Sequence, residues 1–215
     1  MTERPILFSS PMVRAILAGS KSQTRRVIKP QPVRIGDGWL LPMLLECPYG
    51  HPSYGSRLWV REAWKVSAMS HHTPTGGPEE AVYYVDYKAD AGGPPHGKTV
   101  RFAEPVRNAW QKNRDGWRPS IHMPRWAARI VLEVTGVRVE RVQDISEADA
   151  QAEGVEYEAS EGVGVWKDYI CGPGPGVWCN SARASFATLW DSINGKRYPL
   201  ASNPWCWVLE FRRAG

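Results

Sequence analysis

Between Arg129 and Glu140, apolar side chains fall on every second residue: Ile130, Leu132 and Val134, then, after a glycine, Val137 and Val139. A period of two places each set on one face of an extended chain, so this stretch belongs in a sheet that buries one side. The change of phase across Gly136 predicts a bend or bulge. Leu58-Trp59-Val60 reads as a second strand, led in by the turn residues Tyr54-Gly55-Ser56, and Ala81 to Val85 as a short third. The closing run Trp205 to Phe211 reads as a strand laid inside the sheet rather than at a free edge.

Three short helices fit between these strands. Pro11 to Ala18 has proline in the first turn, an apolar stripe of Val13, Ile16 and Leu17, and Gly19 as a stop. Ser146 caps a second helix, with Asp149 in the capping-box position, Ile145, Ala148 and Ala152 on one face, and Gly154 at the end. The third runs from about Arg183 to Ile193 and is expected to bury Phe186, Leu189, Trp190 and Ile193, ending at Asn194-Gly195. Strands and helices do not alternate regularly, which argues against a parallel α/β sheet and for an α+β fold. Two glycine- and proline-rich stretches, Ser70 to Gly97 and Cys171 to Gly176, read as loops.

A chain of 215 residues with 42% hydrophobic and 23% charged residues can bury one good core, and is neither a disordered tail nor a membrane protein. No window approaches the roughly 20 apolar residues of a membrane span. Met1 to Leu7 lacks the pattern of a secretion signal, so a cytoplasmic location is expected. Four widely spaced cysteines argue against a disulfide scaffold.

Charge is distributed unevenly. The net value is +5, compatible with a polyanionic partner. Residues 1–66 carry ten Lys or Arg against four acids, whereas residues 140–168 carry nine acids against Arg141 and Lys167. Two arrangements satisfy this: the segments meet around one site, or they form separate solvated faces.

The densest chemistry follows the first helix, in Gly19-Ser20-Lys21-Ser22-Gln23-Thr24-Arg25-Arg26. Lys21 and Thr24 are separated by an odd number of residues, so they converge only across a turn or bulge. The same composition also suits a basic surface loop that ends a helix.

That segment, with Leu58-Trp59-Val60-Arg61-Glu62, Leu132-Glu133-Val134-Thr135, Ala152-Glu153-Gly154 and Trp207-Val208-Leu209-Glu210-Phe211, resembles the ASCH domain family. Pro11-Met12-Val13 and Cys47-Pro48-Tyr49-Gly50 resemble its long bacteriophage and prophage variety. The resemblance implies an ASCH, PUA-like β-barrel with about three short helices. The resemblance covers roughly residues 5–66, 126–157 and 183–213, and it implies one domain over residues 1–215 with insertions at about 67–125 and 156–180. It departs from the family pattern where Gly55-Ser56 replaces Gly-Asp.

By resemblance to the family's small bacterial 4-acetylcytidine amidohydrolases, the catalytic lysine, threonine and glutamate fall on Lys21, Thr24 and Glu153. Lys21 is then the base, Thr24 the nucleophile or water-orienting group, and Glu153 the orienter and proton shuttle. The implied substrate is an acylated cytidine-type nucleoside or a modified RNA base, with no cofactor. A free lysine titrates near pH 10.4, so this role requires desolvation or neighbouring cations, which Arg25 and Arg26 could supply. The alternatives within the family are a non-catalytic RNA-binding module, with Lys21, Arg25 and Arg26 on phosphate, and an endoribonuclease.

Further residues have two readings each. Trp59 and Trp64 are core indoles or a wall on which a base stacks. Arg61 and Glu62 lie between them, and Glu62 either accepts from a cytosine amino group or forms a structural salt bridge. Arg118 and Arg125 belong to a segment, Trp110 to Trp126, that mixes cations and aromatics as a single-stranded RNA surface does, and as ordinary loops do. Cys47, His51, Cys171 and Cys179 could ligate zinc, although their C-x3-H and C-x7-C spacings are not the tight pairs of structural sites, and free thiols are the simpler reading. Gly172 to Gly176 lacks the lysine of a phosphate-binding loop, so ATP use is not implied.

Overall fold

The computed structural model describes residues 3–35, 38–40, 47–50, 55–72, 80–90, 98–102, 116–160, 163–171 and 178–214. Its largest sheet contains β1 (Glu3–Leu7), β2 (Gln23–Val27), β5 (Arg57–Arg61), β9 (Val131–Arg141) and β13 (Trp205–Arg213). They pair in the order β1-β5-β9-β13-β2. Strands β1 and β5 run parallel, while β13 and β2 are antiparallel, with Thr24 opposite Leu209 and Arg25 opposite Val208. Three further sheets are small: β3 (Val33–Ile35) with β4 (Gly38–Leu40), β6 (Trp64–His72) with β7 (Glu80–Tyr87) and β8 (Lys98–Phe102), and β10 (Tyr157–Ser160) with β11 (Val163–Lys167) and β12 (Trp178–Cys179).

The architecture is therefore mixed α+β, as the lack of regular strand–helix alternation predicts, but the expected β-barrel is not formed: among the described residues no sheet closes on itself. The edge of β2 shows the physical reason. Ser22 accepts from Phe211 N–H on the β13 side, and its own N–H donates to Ala152 O. Lys21 forms a backbone bridge with Glu153. The outer edge at the start of β2 is thus covered by the end of a helix, where a closing strand would have to pair.

The helices fall close to their predicted positions: α1 (Ser10–Leu17), α2 (Glu147–Ala152) and α3 (Ala182–Asn194). Ser146 caps α2, its hydroxyl accepting from Asp149 N–H at 3.0 Å. In α3, Phe186, Leu189 and Trp190 are buried as expected, but Ile193 is 65% exposed, one residue from the helix end. The stretch from Ser70 to Gly97, read as a loop around a short strand, holds the end of β6, with His71 and His72, and all of β7. Masked by its glycines and prolines, this hairpin is set by the pairing of Trp64 with Tyr87 and Val66 with Val85.

The chain divides into two compact units. One comprises residues 1–2, 15–56 and 133–212; the other comprises residues 3–14, 57–132 and 213–215. The second unit has its own apolar cluster of Trp59, Trp64, Val66, Val85, Tyr87, Met123, Ala127 and Ala128. Trp64 is fully buried within it, with its ring edge-on to Trp126 at 5.6 Å. Truncating Trp64 to alanine is expected to cost about 3–5 kcal/mol, measured by urea unfolding of the full chain.

Candidate functional site

Three local features bring Lys21 to Glu153. Gly19, at φ +79°, ends α1, and Ser20 and Lys21 then both donate their N–H groups to Ala15 O. At the other side Gly154, at φ +80°, turns the chain out of α2. A Cβ on Gly154 would stand 2.8 Å from Lys21 Cβ and 3.0 Å from Ala15 Cβ, so the approach of the two segments requires glycine.

Lys21 and Glu153 are each only 4% exposed. The Lys21 ammonium donates to Gln23 O at 2.8 Å, Glu153 O at 2.5 Å and Glu153 Oε2 at 3.1 Å. Burial lowers the Lys21 pKa, the Glu153 carboxylate opposes that shift, and the Arg26 and Arg25 cations reinforce it. The other Glu153 oxygen, Oε1, accepts from Arg25 Nη1 at 3.3 Å. Arg25 Nη2 reaches Glu140 Oε2 at 2.9 Å and Asp149 Oδ2 at 3.4 Å. Arg138 extends the network through Asp149 at 3.1 Å and through close contacts with Glu140 and Glu210. Burial works against Asp149 ionisation, but Ser146 and the Arg25 and Arg138 cations hold its carboxyl below the usual aspartate value. The basic and acidic segments of the sequence therefore meet here.

Thr24 is buried on β2. Strand alternation places it on the opposite face from Gln23 and Arg25. Arg26 occupies the other alternate position; burial depresses its pKa against the attraction of Tyr49 and Glu153. Tyr49, in the turn Cys47–Gly50, bears electrostatically on this site, and a loop placement gave no periodic signal for it.

The remaining candidates belong to the second unit. Glu62 is buried in an ion pair with Arg129, at 2.9 and 3.1 Å, and Arg129 also holds Asp90. Burial raises the Glu62 pKa, against the opposing pull of Arg129. This is the salt-bridge reading of Glu62. Arg61 stacks over Trp59 at 4.7 Å and donates to Ile121 O. Arg118 lies 5.3 Å from the Trp64 ring, and Arg125 pairs with Glu3 at 2.7 Å. Trp59 and Trp64 are both buried, as core indoles are.

For the zinc alternative, His51 lies outside the described residues, while Cys47, Cys171 and Cys179 are not in disulfides. Among the described residues, no group of three or more His, Cys, Asp or Glu side chains is placed to hold a metal ion. Among the described residues, no helix is long and apolar enough to cross a membrane.

No family model, curated protein or solved structure matches the chain. The ASCH and PUA-like terms, and the hydrolase terms that accompany them, thus gain nothing from comparison, and the barrel they imply is replaced by the open sheet above.

The buried lysine gives a signed pH dependence. Because its folded pKa is lowered, the unfolded chain binds more protons between that value and the ordinary lysine value of 10.5. Stability therefore rises with pH through that window. Urea midpoints recorded from about pH 7 to about pH 10 should show this rise in the native chain and a flatter profile in Lys21→Met.

Proposed function

We propose that the chain hydrolyses the exocyclic amide of an acylated cytidine-type nucleoside or modified RNA base. The observation that supports this reading is the buried amine of Lys21 paired with the buried carboxylate of Glu153, 132 residues apart in sequence. The substrate class comes from the motif resemblance, since this pairing alone suits several acid–base reactions.

In the resting site all three ammonium protons of Lys21 are engaged. Acting as a base requires the amine to lose one proton, which its lowered pKa favours. The neutral amine then takes a proton from a water molecule. The water oxygen bonds to the acyl carbon, the electron pair of the carbonyl moves to oxygen, and collapse breaks the carbon–nitrogen bond. The proton held by Lys21 passes to the departing cytosine nitrogen, giving the free amine and a carboxylic acid. Glu153 orients the lysine throughout, since each of its oxygens is already held by a different cation.

An RNA-binding module would use Lys21 and Arg25 on phosphate. Arg25 is instead committed to three carboxylates with its side chain 1% exposed, which weighs toward the enzyme reading.

Incubating the protein with 4-acetylcytidine should release cytidine, followed by chromatography. Lys21→Ala and Glu153→Ala should each lower the rate by about 10²–10⁴-fold, and the native rate should climb with pH as Lys21 deprotonates. Equal rates in native and variant chains would sink the assignment.

A further inference from the structure

Arg25 lies on a strand rich in cations, yet its surroundings are unlike those of a ligand-binding arginine. Its side chain is almost completely buried, and its guanidinium is divided among Glu153, Glu140 and Asp149. One nitrogen, Nη1, serves Glu153 alone; the other, Nη2, is tied to the two remaining carboxylates. We propose that Arg25 is a positioning residue: anchored by Glu140 and Asp149, it holds Oε1 of Glu153 so that Oε2 faces the Lys21 ammonium. The catalytic consequence rests on the hydrolase reading of the same site, while the positioning itself does not.

The anchors explain why the fork is fixed. Asp149 and Glu153 are four residues apart, hence neighbours on one side of the α2 segment, so Arg25 spans the helix from one turn to the next. Asp149 N–H is held by the Ser146 hydroxyl at the helix start. Both anchors are gripped from their other side by Arg138, which also reaches Glu210 and Gln23. The ring of Phe186 lies 5.8 Å from Arg25 Cζ. A lysine at this position could supply the charge but not the planar geometry that addresses three carboxylates together.

The charged groups acting on Lys21 include Arg25 and Arg26 from β2 and Glu153 from the end of α2. Losing Arg25 removes a cation that disfavours the ammonium. It also releases Glu153 toward Lys21, and both effects have the same sign.

The test uses the full chain with ¹³C-labelled lysine, with the Lys21 side-chain resonance assigned by its absence from Lys21→Arg. Its titration midpoint should rise by about one pH unit in Arg25→Gln, and should also rise in Arg25→Lys, which keeps the charge and loses the fork. A midpoint unchanged in Arg25→Lys would reduce Arg25 to a source of charge and overturn the proposal.

Should either variant fail to fold, the native protein supplies the second measurement. A clamped guanidinium gives separate, slowly exchanging Nη1 and Nη2 resonances for Arg25, which should merge in Glu140→Gln. Averaged resonances in the native chain would overturn the proposal. Shifted midpoints in a protein with no turnover of 4-acetylcytidine would support the positioning role and dismiss the hydrolase reading, so the two failures are distinguishable. If turnover is found, Arg25→Lys should lower kcat with KM nearly unchanged.

Discussion

The contact between Lys21 and Glu153 organises the first unit because it is two interactions in one place. The backbones form a bridge, and the side chains form a buried ion pair. Removing a charge from water is costly, and a single partner seldom repays it; each ion here has further hydrogen bonds to offset desolvation. Lys21 spends its other two protons on carbonyl oxygens, and Glu153 offers its second oxygen to Arg25. Those requirements fix the residue types around them. Gly154 must lack a side chain for the backbones to approach. Arg25 must carry a fork, and its other carboxylates must be held in turn by Arg138.

The second unit handles the same problem with fewer parts. Glu62 is sealed beside Arg129, which also bonds Asp90 and lies 4.0 Å from the Tyr87 ring centroid. Its one cation is shared between two carboxylates, and the Tyr87 hydroxyl turns away to donate to Ala127 O. The contrast is chemical. The Glu62 group is closed around an arginine that stays charged, whereas the Lys21 group contains an amine whose burial lowers its pKa.

The elements most legible in the sequence were those whose burial is periodic. Strand β9 announces itself by alternation, and α2 by Ser146 and Gly154, because local geometry alone fixes those signals. Ile193 misleads for a related reason: it falls on the apolar stripe of α3, but near the helix end little remains to cover it. The hairpin of β6 and β7 was hidden because its flanking glycines and prolines dominate the composition there, while its pairing depends on non-local contacts. The barrel expectation failed on one edge of one strand, a feature that residue types do not encode. At the site, Lys21 and Glu153 were legible as a pair by resemblance. The charge imbalance admitted the meeting of basic and acidic segments without choosing it. The division of Arg25 among three carboxylates required coordinates, since a surface arginine and a buried clamp have the same letter.

Strand β2 also has a place in time. Its two edges are covered by residues 152–153 and by β13, which ends at Arg213. Both partners lie far downstream of Gln23–Val27 in the sequence, so a ribosome delivers this arginine-bearing strand well before either neighbour. Its charges keep the waiting segment soluble and discourage pairing with other nascent chains. The cations that later become an interior clamp thus serve first as a guard on an unfinished sheet, whose closure waits on contacts distant in sequence.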